Sequence, residues 1–405
     1  MHPRRRALTG LVILVLGACT PGASPAPSTA GSPTVSPAPS VVMSPPPSGP
    51  PVATRWTPVA QQQDVAGVQF QDVVWTGSRF VATAMATDGG GVFVDSTDGL
   101  TWHRQTMAGP ISVFGRLAAG PLGLVAIGTD SDGHAISRFS TDGLSWSPAT
   151  TTFGSASGTT AIQVTDVIAT NGGWLAVGRE DPQCVYNCGV TPIRAVVWSS
   201  TDGLHWTRHA SQTSMTGRAM TGVAALGSGF VAVGTTGTAA AVWTSNDGVS
   251  WTRAADVAAF RATSGSTAAT SLGMTAVAVD RGVVVAVGTE SDGDAGRARA
   301  WRSVDGRTWA AAQGDRFVNG QMFDVAVIPR GFVATGPSGD PGCTGGLWES
   351  ADGRAWTCAV EGPPYAGMAP YAAAASTSIE VAVGLDTSVN APDGYPGGIW
   401  WRSLP

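Results

Sequence analysis

Chemistry in a protein begins with side chains that ionise, attack or ligate, and this chain of 405 residues is sparing with them. It carries 28 acidic residues, 23 basic residues that are all Arg, five His, five Cys and four Tyr. The histidines (His2, His103, His134, His205 and His209) show no metal-ligand spacing, and His103 and His205 simply adjoin tryptophans of a repeated motif. The five glutamates and four tyrosines form no evident nucleophile–base unit. Two short acidic stretches, Asp130-Ser131-Asp132-Gly133 and Asp292-Gly293-Asp294, offer the hard oxygens that suit calcium. Neither runs on to the late Glu of a full calcium loop, so the expectation is no cofactor, with calcium the one alternative. Beyond Cys19, the four cysteines Cys184, Cys188, Cys343 and Cys358 allow three pairings, and proximity favours 184–188 and 343–358. A four-Cys metal site would need Cys-x-x-Cys spacing, which is missing.

The bulk composition says what could position such residues. Only 13% of the chain is charged, 54 residues are Gly, and the formal net charge is −5. Turn-rich all-β structure fits this better than helices, and scattered arginines in an acidic chain leave no footprint for nucleic acid. The first residues are for targeting. Arg4-Arg5-Arg6 precede a short apolar run, and Leu16-Gly17-Ala18-Cys19 resembles a bacterial lipobox. We expect a signal peptide over 1–18, lipidation of Cys19, and a disordered Pro/Ser-rich tether over 19–53. That reads as an exported protein, lipid-anchored to the outer face of the cell membrane.

The remainder repeats. Ser-x-Asp-Gly-x-x-Trp occurs six times: "STDGLTW" 96–102, "STDGLSW" 140–146, "STDGLHW" 200–206, "SNDGVSW" 245–251, "SVDGRTW" 303–309 and "SADGRAW" 350–356. An apolar phrase such as "GFVAVG" 229–234 occurs seven times, the copies ending 44, 50, 56, 54, 48 and 48 residues apart. Each phrase follows an alternating stretch ("FQDVVWT", "VTDVIAT", "MFDVAVI") across a Gly-bearing turn. A strand ending at Ser and a last strand opened by Trp complete four strands per repeat, which is the signature of a β-propeller. The seventh copy stops at Trp401-Arg402-Ser403, and Trp56 begins a strand with no motif before it. Residues 54–405 therefore predict a seven-bladed β-propeller of four-stranded blades. Its N-terminal outer strand completes the C-terminal blade and removes the open edges.

The motif resembles the Asp-box, or BNR, repeat of sialidases and of many non-catalytic propellers, one residue short between Asp and Gly. The resemblance implies a structural repeat. Asp98, Asp142, Asp202, Asp247, Asp305 and Asp352 would brace turns, and Trp102, Trp146, Trp206, Trp251, Trp309 and Trp356 would pack between layers. It also raises a sialidase-like hydrolase. Yet the early Arg-Ile-Pro of those enzymes is absent, Pro192-Ile193-Arg194 being the nearest text, and their rings have six blades.

Strand order puts the Asp-Gly turns on one face of the ring and the longer loops on the other. The loop face is expected to gather Asp130, Asp132, Asp292 and Asp294 with Tyr186, Tyr365, Tyr371 and Tyr395, rimmed by Arg179, Arg194, Arg297 and Arg299. The expected function is a monomeric, non-catalytic binding or scaffold module for a protein or an extracellular glycan. The alternatives are a glycan-active hydrolase and an assembly factor for a membrane complex.

Overall fold

Alternating stretches, apolar phrases and Asp-Gly turns fold as consecutive strands of one sheet per repeat. The computed structural model describes residues 55–404, apart from 88, 106–111, 151–152, 155–159, 183–192, 263–270, 293–294, 315, 363–364 and 390–394. The expectations placed on the signal peptide, the tether, Cys19, Cys184, Tyr186, Cys188 and Asp294 lie outside the described residues.

Blade 1 is typical. Its strands Val68–Trp75, Phe80–Ala86, Gly91–Ser96 and His103–Arg104 pair antiparallel in chain order, from the channel outward. Six further sheets complete a ring of seven among the described residues, and its first innermost strand packs against the last. In blade 7, Thr57–Pro58 lies beside Gly397–Ser403, with Thr57 opposite Trp401 and Pro58 opposite Trp400. The first strand of the ring thus completes its last blade. Blade 6 adds a feature the repeat does not announce: Gln313–Gly314 pairs parallel to the outer strand Ala355–Cys358 as a short fifth strand.

The apolar phrase of the second strand is covered on both faces by neighbouring blades; Val81, Val233 and Val285 have no exposed surface. The glycine closing the phrase has its own cause. In six blades the innermost strand carries a β-bulge after Phe70, Phe114, Val164, Met220, Met274 or Pro370. Opposite the bulge, a Cβ on Gly128, Gly178, Gly234 or Gly288 would overlap a carbonyl oxygen of the innermost strand.

The six Asp-Gly turns share one hydrogen-bond pattern. The serine hydroxyl accepts the glycine N–H at 2.8–2.9 Å. The aspartate Oδ1 accepts the N–H two residues on, from Leu100 in blade 1 to Arg354 in blade 6. The glycine takes φ between 69° and 77°, where side chains are strained. The turn is also an inter-blade contact: a Cβ on Gly143 would press on Val81 of blade 1, and one on Gly203 on Val125 and Phe139 of blade 2. Five motif tryptophans are buried, and Trp146, half-buried, stacks on Phe93 at 3.8 Å. Each such ring contributes about 1.5–3 kcal/mol by burial.

Candidate functional site

Every innermost strand runs from the loop face to the Asp-Gly face, so intra-blade loops and blade-to-blade links surround one mouth of the central channel. There the side chains expected to present an acidic surface are largely engaged with one another. Asp130 accepts the N–H groups of Asp132 at 2.9 Å and His134 at 2.8 Å, and faces His134 Nδ1 at 3.2 Å. Partial burial works against its charge, but the bonds from His134 and Asp132 hold its carboxyl below the usual range. Glu180 pairs with Arg208, and Asp181 with Arg179 at 3.6 Å. Asp340 faces Arg316 at 3.4 Å and caps its own turn through Gly342 N–H. Asp132 is exposed. Among the described residues, no His, Cys, Asp and Glu grouping could hold a metal ion.

Two expectations are corrected here. The stretch that carries Asp292, Arg297 and Arg299, expected on the loop face, is mostly strand, which runs to Asp292 and resumes at Ala295. The long hairpin carries Glu290 and Arg299 into the sheet, 2% and 8% exposed, where they pair and Arg299 lies 5.8 Å from the Trp301 ring. Arg299 therefore does not rim a binding surface. Of Asp292, only the backbone at the strand end is described. Tyr371, expected on the loop face, instead sits at the bulge of the innermost strand of blade 7, its ring 5.9 Å from that of Phe323. Burial raises its phenol pKa.

The other expected residues stay near the mouth. Tyr365 is half-buried against the cluster holding Val360 and Met368. Tyr395 is half-buried, and its carbonyl accepts Gln69 Nε2 at 2.8 Å. Arg194 and Arg297 are exposed where third strands begin, with no acidic partner among the described residues. Cys343 and Cys358 form a disulfide that ties the blade 6 loop to its outer strand.

Sequence reasoning missed a second feature, inside the channel. Just after the bulge, blade 1 carries Asp72, blade 2 Arg116 and blade 3 Asp166, and the unbulged innermost strand of blade 6 begins at Asp324. Asp72 accepts Val73 N–H at 2.7 Å and, from the next blade, Leu117 N–H at 2.8 Å. Asp166 repeats this with Val167 at 2.9 Å and Val223 at 2.8 Å. Arg116 donates from Nε to the Thr165 carbonyl at 3.2 Å, and its Nη1 lies 3.8 Å from Asp324 across the channel. Burial pushes Asp72 up to about 7, with Arg116 opposing and Asp324 reinforcing it. Burial likewise pushes Asp166 up to about 6 and raises Asp324. Arg116 is half-buried, and partial desolvation opposes its charge, but the carboxylates of Asp324, Asp72 and Asp166 outweigh this and raise its pKa. The signal was present in "QDVV", "TDVI" and "FDVA", a charged residue at one position of otherwise apolar strands.

No family model matches the chain, and no curated protein does. Among solved structures, 580 chains match. One is "YCF48 bound to D1 peptide", with 13% sequence identity and a TM-score of 0.51 over 87% of this chain and 97% of that one. At that identity the likeness shows the fold, and a fold shared so widely does not select a function.

Proposed function

We propose that this protein is an exported, lipid-anchored binding module, built from Asp-box-like repeats, whose loop face takes a carboxylate-bearing segment of another protein. The observation that carries the reading is the charge left over on that face. Asp130, Glu180, Asp181 and Asp340 are engaged with neighbouring cations or their own turns, whereas Arg194 and Arg297 stand exposed without acidic partners among the described residues. Exposed guanidinium groups suit bidentate recognition of carboxylates. A glycan would want open aromatic platforms, but Tyr365 is packed against the cluster holding Val360 and the Tyr371 ring lies beside Phe323. The propeller neighbour solved with a bound peptide supports protein as the partner class.

The strand Thr57–Pro58 pairs antiparallel with Gly397–Ser403, so Arg55 enters the ring at the Asp-Gly face.

The test is cross-linked capture from envelope extracts with the full chain, beside two variants. Arg194→Glu with Arg297→Glu should lose what the wild type captures. Arg281→Glu with Arg354→Glu, on the opposite face, should keep it. Equal capture by all three, or none by the wild type, would overturn the assignment.

A further inference from the structure

The binding reading leaves the channel layer without a role, although four charged side chains from four blades meet there, Asp72 buried and Arg116, Asp166 and Asp324 half-buried. Blades 1, 2, 3 and 6 contribute Asp72, Arg116, Asp166 and Asp324. At the same register blades 4 and 5 carry Gly222 and Ala276, and the bulge residues just before them, Thr221 and Thr275, donate their hydroxyls to the carbonyls of Met274 at 2.6 Å and Met322 at 2.7 Å in the next blade. Blade 7 carries Ala372 there, preceded by Tyr371 at the bulge, whose phenol stays neutral because burial raises its pKa. The second strands behind supply Thr83, Ile127, Val177 and Thr335, none of them charged. Three carboxylates thus face one guanidinium. With all ionised the layer would hold two uncompensated negative charges, enclosed by seven strands.

Geometry closes the usual escapes. Asp72 is only 7% exposed and, like Asp166, is pinned by two backbone N–H groups, one from the neighbouring blade. Those bonds hold both carboxyls in place. Arg116 is already committed to Thr165 and Asp324. The remaining relief is a proton. We propose that the channel layer is a proton-operated latch: a proton kept among its carboxyls lets Arg116 tie blade 2 to blades 3 and 6, and loss of that proton weakens the ring from within.

The direction follows from linkage. Asp72 at about 7 and Asp166 at about 6 lie above the unfolded value near 4, so the folded ring binds protons more tightly. The stabilisation is complete below about pH 4 and is lost as pH rises through about 6 to 7. His209, whose pKa is lowered by burial, pulls the other way, so the comparison must be between variants.

The experiment is the melting temperature of the full chain from pH 5 to 8.5, wild type against Asp324→Asn. Asp324 makes the fewest backbone bonds of the three, and Asn keeps its shape without the charge. The wild type should lose stability on alkalisation relative to the variant, starting above it at pH 5 and ending a few degrees below it at pH 8. A gap that stays constant with pH would mean a merely structural carboxyl and would overturn the latch. Should the variant not fold, infrared spectra of the wild type decide. A protonated-carboxyl band present at pH 6 and gone by pH 8.5 supports the latch, and no such band at pH 6 refutes it.

Discussion

In the turn after Ser245, a single oxygen of Asp247 accepts the Val249 and Ser250 N–H groups at 2.8 and 2.7 Å and the Ser245 hydroxyl at 3.0 Å. The backbone bonds from Ser250 and Val249 hold this carboxyl down to about 2. Asp305 also comes down to about 2: partial burial opposes its charge, but the bonds from Thr308 and Arg307 prevail. Asp72, with two backbone donors of its own, goes up to about 7 because burial outweighs them. Solvent exposure separates the two outcomes. A depressed carboxyl stabilises the fold above about pH 4 and ceases to as pH falls through about 2. Asp247→Asn keeps an acceptor oxygen but no charge. We expect it to be less stable than the wild type at pH 7 and to converge with it near pH 2, read from tryptophan fluorescence in acid titrations. Curves that stay parallel would show that the charge at this turn contributes nothing.

Strands and turns were the most legible elements, since the apolar phrase, the Asp-Gly turn and the half-blade at each end each left a period in the chain. The closing strand is the sharpest case. Thr57 and Pro58 pair with only two residues, but Trp56 beside them is 2% exposed, with the Arg402 guanidinium 4.7 Å from its ring. Arg402 in turn pairs with Glu380 and Glu349. Packing, more than ladder length, therefore holds the seam. Trp56→Ala should cost about 3–5 kcal/mol, and deleting 54–60 should lower the melting temperature further; an unchanged melt in calorimetry would remove the seam from the account. The loop face was less legible. "TESDGDAGRAR" has the composition of a loop, yet a two-residue connection lets both strands extend, and its Glu290 and Arg299 pair inside the sheet. The channel layer could not be seen as a cluster at all. Asp72, Arg116, Asp166 and Asp324 lie in four different repeats, and only ring closure brings blade 6 opposite blade 2.

At the scale of the whole ring, the seam raises the question of whether blade 7 is special or merely where the chain happens to begin. Ser403 holds the place that Ser303 holds in blade 5, and Trp56 the place of Trp309. Between them the chain is cut where six other blades have an Asp-Gly turn. If blades are equivalent, the cut can move. A permuted ring would join Ser403 to Trp56 through Thr-Asp-Gly-Leu-Thr, copied from blade 1, and open within the blade 4 turn, starting at Ser250 and ending at Asn246. It would keep one seam of the same kind, with an outer strand completing a blade from the far end of the chain. Loop-closure entropy is gained in blade 7 and lost in blade 4 over equal lengths, so the two nearly cancel. The expected melting temperature is within a few degrees of the native order, whereas a ring opened at blade 4 without the new joint carries two seams and should melt well below both. A permuted ring that melts as low as the two-seam version would show that the Trp56–Arg402–Glu380 packing needs a free chain end, and that blade 7 is a dedicated closure and not one blade among seven.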